Sequence, residues 1–402
     1  MQILVQKYGG TSVATADARL SALHHIEMAA AQGYRVVVVV SAMGRKGDPF
    51  ATDTLLSTVD NVDTVNKRDL DILLSCGENI SAVVFSSLLK SHGHEVTVMT
   101  GQQAGIITDN QFGEARIVDV RPDRILQHLE SGEIVIVAGF QGATEEGDIT
   151  TLGRGGSDTS ASALGTAIKA ERIEVFTDVE GIMTADPRIV PTARPLQHMT
   201  YYDVCNLAYQ GAKVIHPRAV EIAMQNKIPI RVRSTFSENA GTEITTNVAI
   251  LECSVITQRM ITGITQKSNV VQIQVTGDID PSLIFSEMGK NEIGVDLISI
   301  LPTHVTFIVD NTKAQLAVRV LDEMGYLPKV IEDCAKISVI GTENISSIYG
   351  IMAQAISALA KKNIEILQSS DSQSTMWFLV RQEQMRDAVQ AIHDAFGMDK
   401  CS

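Results

Sequence analysis

Six short apolar runs through the first two-thirds of the chain constrain its fold more than any other feature. They are Ile3–Gln6, Val36–Val40, Glu95–Thr100, Ile134–Ala138, Ile173–Thr177 and Ile230–Arg233. Each is strand-sized and most are near-continuously apolar, as expected of strands covered on both faces. Helical patterns lie between them, over Ala16–Gln32, Leu70–Ser91, Arg121–Ser131, Asp158–Lys169 and Val214–Gln225. Alternation of this kind predicts an α/β fold, an open αβα sandwich around a mainly parallel sheet. In such a sheet ligands bind beyond the C-terminal ends of the strands.

The residues at those ends suit an anion. The first strand runs into Lys7-Tyr8-Gly9-Gly10-Thr11-Ser12, and the second into Ser41-Ala42-Met43-Gly44. Thr177-Asp178-Val179-Glu180-Gly181 follows another. Thr151-Leu152-Gly153-Arg154-Gly155-Gly156-Ser157-Asp158-Thr159 precedes a helix of small residues. A helix N-terminus carries unpaired N–H groups and partial positive charge, and glycine lets backbone approach a phosphate. Arg154 can grip a carboxylate or phosphate through two parallel hydrogen bonds. Taken singly, a turn that binds nothing and a surface lysine are the competing readings. Neither G-x-x-x-x-G-K-[ST] nor G-x-G-x-x-G occurs in the chain.

Composition narrows the partners. A formal net charge of −14 argues against nucleic acid and anionic membrane. No apolar run of transmembrane length is read, and the N-terminus lacks the basic and apolar regions of a signal peptide. The five cysteines form no C-x-x-C pair, which favours a reducing cytoplasm over disulfides or zinc. The length of 402 residues suggests two or three domains.

The last third carries a repeat at an offset of 71. Ile293 matches Ile364, Val295 matches Ile366 and Phe307 matches Phe378. Val309, Ala317 and Val318 match Val380, Ala388 and Val389. Each copy reads strand, helix, strand, strand, helix, with a last strand supplied nearby: a ferredoxin-like βαββαβ pattern. The polar stretch Ser237–Thr246 places a boundary soon after it. The expected division is residues 1–245, 263–331 and 335–402.

In order along the chain, the lysine–glycine turn, Ser41-Ala42-Met43-Gly44, Ser75-Cys76-Gly77-Glu78, Gly153 to Asp158 and Phe176 to Gly181 form one set. Thr184-Ala185-Asp186-Pro187-Arg188 and Gly211-Ala212-Lys213-Val214 extend it. The set resembles that of the aspartate kinases, within the amino-acid kinase family. The duplicated tail resembles two ACT domains, and the nearest likeness is to the short, diaminopimelate-sensitive Bacillus type.

The resemblance implies phosphorylation of the L-aspartate side chain by ATP with Mg2+. An Asp carboxylate, with a pKa of about 3.9, is already ionised near neutrality, so no general base is needed. It implies that Lys7 and Asp158 are catalytic. Ser41, Thr52, Glu78, Arg154, Gly155, Gly156 and Ser157 would hold aspartate, Glu78 through its ammonium and Arg154 through its carboxylate. Lys7, Tyr8, Gly9, Gly10, Phe176, Thr177, Asp178, Ile182, Met183, Thr184, Ala185, Asp186, Pro187 and Lys213 would surround ATP. The insertion Lys46–Phe50 lengthens the loop ahead of Thr52. A dedicated protein metal site is not expected. The ACT pair implies a homodimer and an amino-acid effector: meso-diaminopimelate, lysine or threonine. Asp296 is either an effector contact or a solvated strand-end acid. A sensor with a dead kinase unit, and another member of the family such as an acetylglutamate, glutamate or carbamate kinase, are the rival readings.

Overall fold

The apolar runs form the strands they predict, and the computed structural model adds those that sequence periodicity did not reveal. It describes residues 1–212, 214–246, 261–341, 345 and 348–400. The first part of the chain holds β1 (Ile3–Tyr8), α1 (Gly10–Val13), α2 (Ala16–Ala31), β2 (Arg35–Val40), α3 (Thr52–Leu56) and α4 (Lys67–Ser91). There follow β3 (Val96–Met99), β4 (Ile106–Thr108), β5 (Ile117–Val120), α5 (Asp123–Glu130), β6 (Ile134–Ala138), β7 (Gln141–Ala143) and β8 (Ile149–Thr151). Then come α6 (Gly156–Ala167), β9 (Arg172–Thr177), β10 (His198–Thr200), α7 (Tyr201–Tyr209), α8 (Pro217–Gln225), β11 (Ile230–Ser234) and β12 (Thr242–Thr245).

One sheet has the order β10-β12-β11-β9-β1-β2-β6-β3. Its central pairs are parallel, and only β11–β12 runs antiparallel. Helices α2 and α4 cover one face, where Leu23, Ile26, Phe85 and Leu89 pack on Leu4, Val36, Val38 and Ile136. On the other face α6 lies close to the sheet because its residues are small. A Cβ on Gly165 would stand 2.6 Å from Ile173 Cγ1. A four-stranded sheet, β5-β4-β7-β8, is a short-stranded addition. These strands have three or four residues each, too short to show a period. Helix α4 is long and apolar enough to cross a membrane by length and composition alone, which the reading of apolar runs passed over. It is a packed helix with Asp71, Ser75 and Glu78 buried along it.

The C-terminal elements are β13 (Ile261–Thr276), α9 (Pro281–Lys290), β14 (Val295–Leu301), β15 (His304–Asp310), α10 (Asn311–Glu323), β16 (Lys329–Gly341), α11 (Ile351–Lys361), β17 (Gln368–Asp371), β18 (Thr375–Arg381) and α12 (Met385–Ala395). They build a single sheet, β14-β15-β13-β16-β18-β17. The repeat pairs occupy equivalent places: Ile293, Phe307, Val309 and Ala317 in one core, Ile364, Phe378, Val380 and Ala388 in the other.

The missing last strand of each copy is found in the long strands β13 and β16. Val270–Thr276 belongs to the first copy, whereas Ile261–Lys267 pairs with the part of β16 that feeds β18. The second copy is therefore completed by a segment that precedes the first copy. The tandem division expected at 263–331 and 335–402 gives way to an interleaved one. Compactness divides the chain into two units, Met1–Ile182, Pro195–Ala208 and Lys213–Val255 as one, and Met183–Arg194, Tyr209–Ala212 and Ile256–Ser402, with both copies, as the other.

The start of the first helix differs between copies. Asp280 Oδ1 accepts from the N–H groups of Ser282 and Leu283, with Pro281 in the first turn. The second copy has no side-chain cap there, and Gly350 takes a φ of +84°.

Interleaving has a measurable consequence. Ile264 and Val339 are cross-strand partners in the second core, although Phe307 is nearer to Ile264 in sequence. Ile264→Ala should cost about 2–5 kcal/mol. It should be non-additive with Val339→Ala and additive with Phe307→Ala in urea unfolding. The opposite pattern of coupling would contradict the interleaved assignment.

Candidate active site

Strand β1 has β2 on one side and β9 on the other, so the chain reverses its direction of winding there. Open α/β sheets bind ligands at such a point, and Lys7 stands there near the C-terminal end of β1. Its Nζ lies 2.7 Å from Asp158 Oδ1, with the two side chains 12% and 11% exposed. Asp158 is in the first turn of α6, where it also faces the helix dipole. Its Oδ2 accepts from the His216 N–H at 3.3 Å.

The glycine turns bring backbone, not side chains, to this edge. The Gly9 N–H reaches the Phe176 carbonyl at 3.3 Å, and the Gly44 N–H donates to the Gly10 carbonyl at 3.0 Å. A Cβ on Gly10 would meet the Gly44 and Ala42 carbonyl oxygens at 2.6 and 2.8 Å. Gly153 and Gly155, with φ of +70° and +67°, flank Arg154. At Gly155 a side chain would also strike His216 Cβ at 2.2 Å, so shape and conformation both demand glycine. Arg154 is exposed and has no ion-pair partner among the described residues.

Glu78 is buried, at 2% exposure. Its Oε1 accepts from the Ala42 N–H at 3.0 Å, next to Ser41, and Oε2 has no partner. Burial pushes its pKa up to about 8, against the pull of the Ala42 N–H. The Ser41 N–H bonds to the Tyr8 carbonyl, fixing that loop against β1. Thr52 opens α3, which packs at Gly77: a Cβ there would lie 3.2 Å from Leu55 Cδ1. Ser157 abuts Gly139 at the end of β6. Lys7, Ser41, Glu78, Ser157 and Asp158 thus converge on the C-terminal edge of one sheet.

Other expected site residues lie elsewhere. Tyr8 and Phe176 are fully buried and stack on each other at 4.7 Å. Their rings are core, because the alternation of β1 and β9 points them beneath α2, and only their backbone reaches the edge. Asp178 is ion-paired with Arg45 and accepts from the Thr177 hydroxyl. Ile182 falls in the first unit, while Met183, Thr184, Ala185, Asp186 and Pro187 fall in the second. There Thr184 bonds to His393 at 3.0 Å and Asp186 pairs with Arg188 at 2.8 Å. Lys213 lies outside the described residues.

Two supporting residues escaped sequence reading. Asp71 accepts from the Thr151 and Gly113 N–H groups at 2.8 and 3.0 Å and from the Thr151 hydroxyl at 2.6 Å. Arg218 donates to the carbonyls of Leu152 and Ala115. Together they hold Thr151 and Leu152, the residues that lead into the turn carrying Arg154. A carboxylate past the first turn of a long, largely apolar helical pattern was the available signal for Asp71. Arg218 has none, since its partners are backbone carbonyls remote in sequence.

Glu78 sets a pH dependence on stability. Its folded pKa lies above the ordinary value of 4.5, so the folded state holds the proton more tightly than the unfolded chain. The contribution is complete below 4.5 and declines as pH rises, until it is lost above about 8. Without substrate, Glu78→Gln should therefore gain stability relative to the parent as pH is raised across this window. Parallel melting curves of the two proteins at all pH values would contradict the buried, unpaired state of Glu78.

Comparison with known proteins shows the family. The amino acid kinase family matches residues 2–234, more than half of the chain, and an ACT domain matches residues 329–394. Aspartokinase 1 of Bacillus subtilis (strain 168) is 50% identical over 405 residues, with 100% of both chains covered. Aspartokinase 2 of the same organism is 38% identical over 414 residues, covering 100% of this chain and 99% of the other. The fold is also that of E. coli aspartokinase III in complex with aspartate and ADP (R-state), with a TM-score of 0.79 at 24% identity, covering 98% and 99% of the two chains. The chain belongs to the aspartokinase family, in which an amino acid kinase unit is followed by ACT domains.

Proposed function

We propose that this chain transfers the γ-phosphoryl group of ATP to the side-chain carboxylate of L-aspartate. A carboxylate oxygen attacks the γ-phosphorus, the bond to the β–γ bridging oxygen breaks, and 4-phospho-L-aspartate and ADP form. The observation that carries this reading is the Lys7–Asp158 pair at 2.7 Å, placed where the sheet changes direction beside a carboxylate with one unpartnered oxygen. Lys7 supplies positive charge to the transferring group, and Asp158 holds the ammonium in place until phosphate competes for it. Ionised Glu78 receives the substrate ammonium, which removes the cost of its buried charge. Arg154, exposed between two left-handed glycines, is free to close on the α-carboxylate. Related aspartokinase III has been seen with aspartate and ADP bound, in keeping with this assignment.

The residues fit a magnesium ion that arrives on the nucleotide. No cluster of three or more His, Cys, Asp or Glu side chains that could cage a metal occurs among the described residues. Mg2+ commonly takes one or two carboxylates and completes its shell with phosphate and water. Asp158 is the carboxylate at hand. When bound, the ion would neutralise phosphate charge.

Trapping the product with hydroxylamine tests the reaction. Aspartyl hydroxamate should form from ATP, Mg2+ and L-aspartate. Its absence, or preferential use of glutamate or acetylglutamate, would overturn the assignment. Lys7→Ala should lower kcat most, since its charge matters most in the transition state. Arg154→Ala should raise KM for aspartate by an amount equivalent to roughly 1.5–3 kcal/mol, the worth of hydrogen bonds to a charged group. KM for ATP should change much less.

The ACT unit is proposed to bind an amino-acid effector, with meso-diaminopimelate tested first, then lysine and threonine. A homodimer is part of the same proposal. Edge strand β14 exposes Ile298, Ile300 and Leu301, an apolar border that a second copy would cover. Asp296 pairs with Lys336, whose side chain is 4% exposed, so it is not simply a solvated acid. Removing it strands a buried charge, and Asp296→Asn is the cleaner probe than alanine. Asp296→Asn should weaken inhibition by the active effector at near-parental basal activity, and light scattering should give the mass of a dimer. Unaltered inhibition in the variant would count against Asp296 as an effector contact, and a monomeric mass against the dimer.

A further inference from the structure

Strands β14 and β17 are the opposite edges of the six-stranded C-terminal sheet, yet they meet. Gln368 of β17 donates through Nε2 to the Leu297 carbonyl of β14 at 2.6 Å, and its Oε1 accepts from Gln272 Nε2 of β13 at 2.9 Å. The contact crosses the face that the helices leave open. Val271, Ile273, Phe307, Ile337 and Phe378 point into the helix-covered cores, so alternation turns Gln272, Ile308, Lys336 and Leu379 to the other side. There Leu297 packs with Val270, Ile308, Cys334 and Leu379 in a small core of its own. The joint between β13 and β16 permits the sheet to fold over in this way. It carries register shifts between Lys267 and Gln272, and Asn269 and Asp333 take φ of +56° and +51° there. Bulges bend a strand and increase its twist.

Leu297 lies in a bulge as well. Strand β14 loses register with β15 between Asp296 and Ser299, and Leu297 takes a φ of +48°, a conformation rare for a bulky side chain. Its surroundings hold it there. Its N–H donates to Asp296 Oδ1 at 2.7 Å, its carbonyl takes the Gln368 amide, and Asp296 Oδ2 pairs with Lys336. The Lys336 side chain is 4% exposed and that of Asp296 46%, so a ligand from solvent reaches the carboxylate and not the lysine. An ammonium group that takes Asp296 strands the buried lysine charge, and Lys336 regains water only when the bulge lifts off the face. We infer that the Asp296–Leu297 bulge is a latch, held closed by Gln368 and Lys336 and released by an amino-acid effector bound at Asp296. The inference rests on the effector reading above. It adds the step by which occupancy of an exposed carboxylate becomes a change in the shape of the sheet.

Thiol labelling of the full chain, read by peptide mass, tests the latch. Cys334 is fully buried and packed with Leu297. Its peptide should label about two- to tenfold faster in Gln368→Leu than in the parent, because the variant leaves the Leu297 carbonyl without its donor. Trp377, the chain's single tryptophan, packs against the same core, and its emission should shift to the red in that variant. Gln272→Leu, which removes the donor that orients Gln368, should act in the same direction and serves if Gln368→Leu does not fold. Calorimetric titration with meso-diaminopimelate, lysine and threonine supplies the second arm. The amino acid that binds the parent should bind Gln368→Leu about two- to tenfold more tightly, because the open state is already more populated. It should also speed Cys334 labelling in the parent. Equal labelling rates in parent and variants, or weaker effector binding in Gln368→Leu, would overturn the latch. If none of the three amino acids binds the parent, the effector reading falls and the release step with it, while the labelling rates still decide whether Gln368 holds the bulge.

Discussion

The ion pair between Lys7 and Asp158 organises the kinase unit. Each side chain is nearly buried, and an uncompensated charge in either position would be costly. The pair ties the end of the central strand β1 to the first turn of α6, two segments separated by most of the unit's sequence. Everything around it serves that geometry. Gly155 is left-handed so that His216 can approach, and the His216 N–H holds the second oxygen of Asp158. Asp71 and Arg218 fix the lead into the turn through the backbone of Thr151 and Leu152. Preorganisation of this kind suits phosphoryl transfer, in which the protein supplies placement and charge and needs no proton acceptor for an ionised carboxylate.

Glu78 shows a second use of burial. One of its oxygens is held by a backbone N–H and the other has no partner. Stable folding alone does not favour such an arrangement, since an unpaired buried acid weakens the fold at the pH where it ionises. A ligand carrying an ammonium group compensates it. The site is thus incomplete until substrate arrives, and selectivity for an amino acid follows from a group that the free protein leaves unsatisfied.

The regulatory elements obey a different constraint, the need to complete two sheets from one chain. Strands β13 and β16 are each long enough to serve both copies, so neither copy is a separable piece of sequence. Short segments from the earlier part of the chain, Met183–Arg194 and Tyr209–Ala212, join the same unit. Val190 and Ala185 enter its core, and Gln210 lies on the opposite face. Several residues that resemblance assigns to the nucleotide therefore have their packing determined within the regulatory unit.

Much of this was legible in the chain alone. Continuous apolar runs announced a parallel sheet because burial on both faces leaves no other pattern. Phe307 and Phe378 announced a duplication because equivalent core positions demand equivalent volumes. Lys7, Glu78, Arg154 and Asp158 stood out only as members of an ordered set of motifs resembling that of the aspartate kinases, since singly a surface lysine, a helix acid or a binding-free turn accounts for each. Tertiary structure decided what depends on neighbours distant in sequence. It turned Tyr8 and Phe176 into the core, since strand alternation is only informative once the covering helix is known. It gave Asp296 to Lys336, and it completed the second ACT copy with residues that precede the first. Local patterns record which face of an element is apolar and where backbone must turn. Which charges meet, and which strand closes which sheet, are set by long-range packing that no local pattern encodes.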